Sequence, residues 1–150
     1  MAVSKSLSGC KTYFTTANTF EVKFGYHRAV RKGPFIFVSG TTALNPDTGA
    51  IEHPGDAKLQ ARVAMNRCAD AVKRLGGRTE DVMRCRMFVA FYESFQRHED
   101  TSGIGEAFKE VFGGDLDTEV GCAATMIVVK DGFVDKEMLV EVEVNSLLEV

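Results

Sequence analysis

The sequence contains no tryptophan and only three prolines, Pro34, Pro46 and Pro54, all in the first half of its 150 residues. It also contains no internal repeat, low-complexity tract or proline/serine-rich linker, which predicts one domain over residues 1–150, with residues 1–23 as an extension or first strand. A bilayer span needs about 20 consecutive apolar residues. The apolar runs here are short, such as 35–38 and 125–129, so no membrane partner is expected. The opening MAVSKSLSGCKTYF lacks the apolar centre of a secretory signal, and a cytoplasmic location is the expectation. Cysteine is scarce. Cys10, Cys68, Cys85 and Cys122 show neither C-x-x-C spacing nor closely spaced histidines, so a zinc site or redox pair is not signalled and buried reduced thiols are expected. No metal and no cofactor is predicted. Neither sign of charge dominates: 18 Lys plus Arg against 21 Asp plus Glu gives −3 with no basic run, which argues against a nucleic-acid partner and leaves a small-molecule ligand.

What is present has the ordinary globular balance, 45% hydrophobic and 26% charged. Residues 35–40, Phe-Ile-Phe-Val-Ser-Gly, form a continuous apolar run that reads as a strand covered on both faces. The turn residues Asn45-Pro46-Asp47-Thr48-Gly49 follow, and a short second strand at 50–52 is expected to pair back onto the first. Ala57, Ala61, Ala64, Cys68, Ala71, Val72 and Leu75 then recur at threes and fours, predicting an amphipathic helix capped by Asp56 and ended at Gly76-Gly77.

The next strand, 82–89, places Met83, Cys85, Met87 and Val89 on one face and Arg84 and Arg86 on the other. A second helix includes 105–112 and stops at Gly113-Gly114; residues 97–103 either extend it or form an insertion loop. Strands at 125–129 and 138–144 close the chain, the last turning Val140, Val142 and Val144 inward and Glu141 and Glu143 outward. The order strand, strand, helix, strand, helix, strand, strand predicts an α+β fold with both helices on one side of a sheet. Arg84, Arg86, Glu141 and Glu143 fall on the other side, as either a solvated face or an oligomer interface or cleft.

Three stretches together resemble the reactive intermediate deaminase family (Rid, also called YjgF): Gly25-Tyr26-His27-Arg28-Ala29-Val30, Phe37-Val38-Ser39-Gly40-Thr41, and Ala123-Ala124-Thr125-Met126 followed by Met138-Leu139-Val140-Glu141-Val142-Glu143. They occur in the family's order from about residue 24 to 145, with a helix opening Gln60-Ala61-Arg62 before a two-glycine stop. The resemblance implies a chorismate-mutase-like mixed β-sheet with two helices packed on one face and a homotrimer with intersubunit clefts for small ligands. In the family's deaminating branch a cleft arginine grips a substrate carboxylate and a water attacks an imine carbon, giving a ketone and ammonia.

By this resemblance Tyr26 and Glu141 take the catalytic places, the first orienting ligand and water, the second handling water or a proton. Ser39, Gly40 and Thr41 present polar groups, and Thr125 lines the wall. The family arginine falls on Ala124, whose methyl cannot make a charge-assisted contact worth about 1.5–3 kcal/mol. The chain therefore looks more like the branches without that arginine, and the family asparagine also falls on a different residue, Gly105. Arg86, on the face of Glu141, is either an anion contact or an ion-pair partner of Glu141 or Glu143 across the trimer; Arg28, on the side of Tyr26, is a second candidate cation. His27 points away from Tyr26 and reads as structural or surface, and His53 and His98 as solvent-facing.

The leading expectation is hydrolytic deamination of a small enamine or imine. The alternatives are a tautomerase or cyclase in the same cleft, or a non-catalytic trimeric binding protein. Endoribonuclease or translation-inhibitor activity, also attributed to the family, sits badly with a charge of −3 and no basic aromatic strip.

Overall fold

The computed structural model describes residues 1–92, 98–115 and 117–149, of which 98–100 by backbone only. Strands β1 (Ala2–Lys5), β2 (Thr12–Thr15), β3 (Ala29–Lys32), β4 (Phe35–Thr41), β5 (Val82–Phe91), β6 (Ala123–Lys130) and β7 (Val140–Leu147) form one sheet in the order β1-β2-β3-β4-β7-β5-β6. All neighbours are antiparallel except the parallel β5–β6 pair. Among the described residues there are three α-helices, α1 (Thr19–Phe24), α2 (Ala57–Arg74) and α3 (His98–Val111), so the mixed α+β architecture holds with one short helix more than expected.

Helix α2 begins where Asp56 accepts the Leu59 N–H at 2.9 Å. It ends with Gly76 at φ +88° and the Gly77 N–H returning to the Val72 carbonyl, a closure that favours glycine. Its alanine stripe brings it against β4 and β7, and α3 lies beside it. Helix α3 runs through Gly103, which settles 98–103 as helix; residue 97 lies outside the described residues. Ala107 and Phe112 are buried, and the Gly113 N–H closes the end onto the Phe108 carbonyl.

Strand β7 keeps the predicted parity. Val140, Val142 and Val144 are fully buried under α2, with Glu141 and Glu143 half-buried on the opposite face. Elsewhere the sequence reading needs correction. β4 is covered on one face only: Ile36 and Val38 are buried, while Phe35 and Phe37 are each about half exposed. Met83 leaves the apolar face because a bulge inserts it between Val82 and Arg84, opposite consecutive residues of β7; Cys85, Met87 and Val89 stay buried. The segment 50–52 does not join the sheet. It folds back on its own turn through one bridge, Leu44 to Ile51, since Asn45 and Gly49 close the reversal locally. Residues 1–23 contribute a β1–β2 hairpin and α1, whose Asn18 cap accepts the Phe20 N–H and whose Gly25 ends it at φ +71°. Cys10 sits exposed near the hairpin turn and Cys122 is half-buried, so only Cys68 and Cys85 are buried thiols; all four are free.

Candidate functional site

Tyr26, Arg28, Gly40, Thr41 and Glu141 border one pocket of about 860 Å³, within the usual size for small-molecule sites. Three local structures meet there. The Gly25 stop of α1 releases the chain straight into Tyr26. A register shift between Val38 and Thr41 bulges β4 beside β7, and the outward parity of β7 delivers Glu141 to the same place. Phe14, Phe20, Phe24, Leu44, Phe133 and Met138 supply apolar walls.

Glu141 lies directly over Gly40. A Cβ added to Gly40 would overlap Glu141 Oε1 and stand only 2.9 Å from its Cδ, so the missing side chain is what admits the carboxyl. Burial pushes the Glu141 carboxyl above the usual carboxylate range; the Arg28 charge opposes that rise and Glu143 adds to it. Its start is anchored by Gln60, wholly buried in α2, whose Oε1 accepts the Leu139 N–H at 2.9 Å and whose Nε2 donates to the carbonyls of His53 and Glu137.

Arg28, 6% exposed, is the hub of the polar wall. Nη1 donates to the Gly40 carbonyl at 2.7 Å and the Thr41 hydroxyl at 3.0 Å. Nε and Nη2 donate to Glu21 at 3.4 and 3.3 Å, and Nη2 also reaches the Tyr26 hydroxyl at 3.4 Å. Glu21, 3% exposed, also accepts the Thr16 N–H and hydroxyl. Every N–H direction of the guanidinium is thus directed at a protein acceptor. The Tyr26 oxygen accepts from Arg28, which leaves its own O–H proton to donate into the pocket.

Other sequence-derived candidates fall elsewhere. The Ser39 hydroxyl donates to the His27 carbonyl at 2.7 Å and does not border the pocket. Arg86 pairs with Glu143 at 2.5 Å within the chain, directly across the β5–β7 ladder. Thr125 lies opposite Arg86 on that same open face, whereas Ala124, opposite the buried Cys85, takes the helix-side parity. Arg86, Ala124 and Thr125 lie outside the pocket of the single chain. His27 stacks on Tyr13 with ring centroids 4.0 Å apart, a structural role; His53 is exposed, and the His98 side chain lies outside the described residues.

Sequence reasoning missed Glu21 and Arg67. Arg67 donates to the carbonyls of Thr42 at 3.3 Å and Leu44 at 2.6 Å and pairs with Glu52. The signal for Glu21 was an Asn18 cap followed by Glu21 in the first turn and Gly25 at the end. Among the described residues no cluster of three or more His, Cys, Asp or Glu is placed to hold a metal, and no helix is long and apolar enough to cross a membrane.

Residues 16–147 match the family model described as endoribonuclease L-PSP. An uncharacterised protein of Streptomyces coelicolor is 33% identical over 131 residues, 87% of either chain. A RutC family protein of Pyrococcus abyssi is 25% identical over 118 residues, 79% of this chain and 82% of its own. Among solved structures, a Mycobacterium tuberculosis member of the YjgF/YER057c/UK114 family is similar at TM-score 0.72 and 27% identity, covering 92% of this chain and 99% of its own. Escherichia coli YjgF has the same fold at TM-score 0.63 and 21% identity, covering 83% of this chain and 88% of its own. With 16–147 matched and the mixed sheet superimposed, the chain belongs to the endoribonuclease L-PSP family, the group also called YjgF or Rid.

Proposed function

We propose that this chain forms a homotrimer and hydrolyses a small enamine or imine in the pocket of Glu141, releasing ammonia. Family membership supports a small-molecule-processing role. The observation that carries the finer reading is the half-buried Glu141 carboxyl, held over Gly40 with raised proton affinity, in one pocket with the Tyr26 hydroxyl. A carboxyl whose proton affinity is raised by burial suits a group that both takes and returns protons.

In the proposed reaction an enamine first tautomerises to its imine. The carboxylate of Glu141 then removes a proton from water as the oxygen adds to the C=N carbon, and the nitrogen receives that proton. The resulting carbinolamine collapses: its hydroxyl proton returns to Glu141 and passes to nitrogen, which leaves as ammonia, so imine plus water gives ketone or aldehyde plus ammonia. The Tyr26 hydroxyl orients the water or the nitrogen. Ser39, through the His27 carbonyl, supports the bulge that presents Gly40 and Thr41.

Support for the trimer comes from the open face of the sheet. Phe35, Phe37, Ile127 and Leu147 are each 42–52% exposed there, an apolar area of the kind that marks contact surfaces. Arg86 and Thr125 share that face with Glu141 and Glu143. A neighbouring subunit on it would meet Thr125, which the family resemblance places at the cleft wall.

The test supplies imines generated in place, by a dehydratase from serine or threonine and by an amine oxidase from a primary amine, and measures ammonia release together with the sedimentation mass. Acceleration over free solution that Tyr26→Phe and Glu141→Gln reduce, by a particle of three chains, is expected. No acceleration with either imine overturns the reading, and saturable binding without turnover replaces it with a binding protein.

A further inference from the structure

Besides Met1, which carries the α-ammonium, two guanidinium and three carboxyl groups border the pocket, and they differ in how far the protein already occupies them. Both guanidinium groups that border it are already neutralised and hydrogen-bonded by the protein: Arg28 by Glu21, the Gly40 carbonyl and the Thr41 hydroxyl, Arg67 by Glu52 and two main-chain carbonyls. Three carboxylates also border it. Asp70 lies 3.5 Å from Arg74, but Asp47 carries no ion pair among the described residues, and Glu141 faces the cavity with Arg28 committed elsewhere. Asp47 is held in place by its turn, in which Asn45 Oδ1 accepts the N–H groups of Asp47 at 2.9 Å and Thr48 at 3.2 Å. The rings of Phe20, Phe24 and Phe133 complete the walls.

From this arrangement we infer that the pocket selects small cations with an apolar body, protonated amines and iminium ions, and disfavours carboxylates. The physical reasons are additive. Carboxylates attract a cation and repel an anion, and the Arg28 donors that would receive an anion are all directed at protein acceptors. To be held by Arg28, a carboxylate ligand would have to break the Glu21–Arg28 pair; an iminium ion finds Glu141 ready. On the reading above, the balanced reaction becomes iminium plus water to ketone or aldehyde plus ammonium.

This inference rests on the pocket being the ligand site of the proposed hydrolase, and its test reads binding without turnover. Isothermal titration calorimetry of the wild-type protein at pH 7.5 and low salt uses three probes of one shape, benzylammonium, benzyl alcohol and benzoate. Benzylammonium is expected to bind at least tenfold more tightly than benzoate. Asp47→Asn, away from the reacting groups, is expected to weaken benzylammonium severalfold and leave benzyl alcohol unchanged. Equal or tighter binding of benzoate overturns the inference, as does benzylammonium affinity indifferent to Asp47→Asn, or no probe bound at millimolar concentration. In the turnover assay, dehydratase-derived imine processed as fast as amine-derived imine would overturn this selectivity while leaving hydrolysis standing. Ammonium selectivity without turnover would do the reverse.

Discussion

Replacing Gly40 with alanine separates what the bulge does for the fold from what it does for the pocket. Ordinary contact begins at about 3.4 Å, and the new Cβ would stand 2.9 Å from Glu141 Cδ, so Cδ must withdraw by at least 3.4 − 2.9 = 0.5 Å. The carboxyl oxygen, closer still, must move on the order of 1 Å, a displacement that costs about 100-fold in rate when it misplaces a reacting group. That corresponds to about 2.7 kcal/mol of lost transition-state stabilisation. The fold should hardly notice. Gly40 is not in the left-handed region, so alanine fits its backbone, and restricting the unfolded chain returns about 0.4–1 kcal/mol against the cost of moving Glu141. Urea unfolding of Gly40→Ala is expected within about 1 kcal/mol of wild type, with ammonia release from imine falling about 100-fold. Full activity at unchanged stability would refute the placement of Glu141 as the proton-handling group.

Arg28→Met leaves Glu21 buried without its cation and should cost about 3–5 kcal/mol by urea denaturation; Glu21→Gln added to it should recover part of that loss. Strictly additive losses would show that the pair is not coupled. Glu141→Gln should raise the melting temperature at pH 7. A raised folded-state pKa favours the protonated form, so the contribution of Glu141 is fully favourable below the unfolded pKa of about 4.3 and is lost as pH rises through the folded value. The advantage of Gln should therefore shrink as the pH falls toward 4; an advantage that grows on acidification contradicts the burial account. A thiol reagent at pH 7.5 should label Cys10 first, because Ser8 and Ser6 lower its pKa at an exposed turn. Cys68, pushed up to about 12 by burial, and Cys85, also raised by burial, should react only on unfolding, as mass spectrometry would show.

Much of the fold was legible because its signals are local and periodic. The alternation of β7 and the Asp56 cap with the Gly76-Gly77 stop of α2 depend on neighbours within a few residues, and the structure reproduces them. The bulge at Met83 was not legible: it inserts one residue relative to a strand about sixty positions away, and nothing within 82–89 marks it. The same limit hid the open face of β4, since an apolar run reads alike whether a partner subunit or a helix covers it. Helix α1 is six residues long, too short for a helical stripe.

At the candidate site, the family resemblance brought Tyr26, Gly40, Thr41 and Glu141 together, and all four border the pocket. Spacing misjudged the cations. Arg28 looked like a free group two positions from Tyr26, but its charge belongs to Glu21 on a helix the sequence barely signals, and Arg86 is held by Glu143 across the ladder of its own chain. Ion-pair partners separated in sequence are set by topology, which composition and spacing do not encode.

The most direct measurement is ammonia release from an imine made in place by an amine oxidase, with wild type and Glu141→Gln compared at matched protein concentration. The account predicts acceleration by wild type over free solution, with at least a 100-fold loss in the variant, which retains shape but cannot take the proton. Equal rates for wild type, variant and buffer would contradict it.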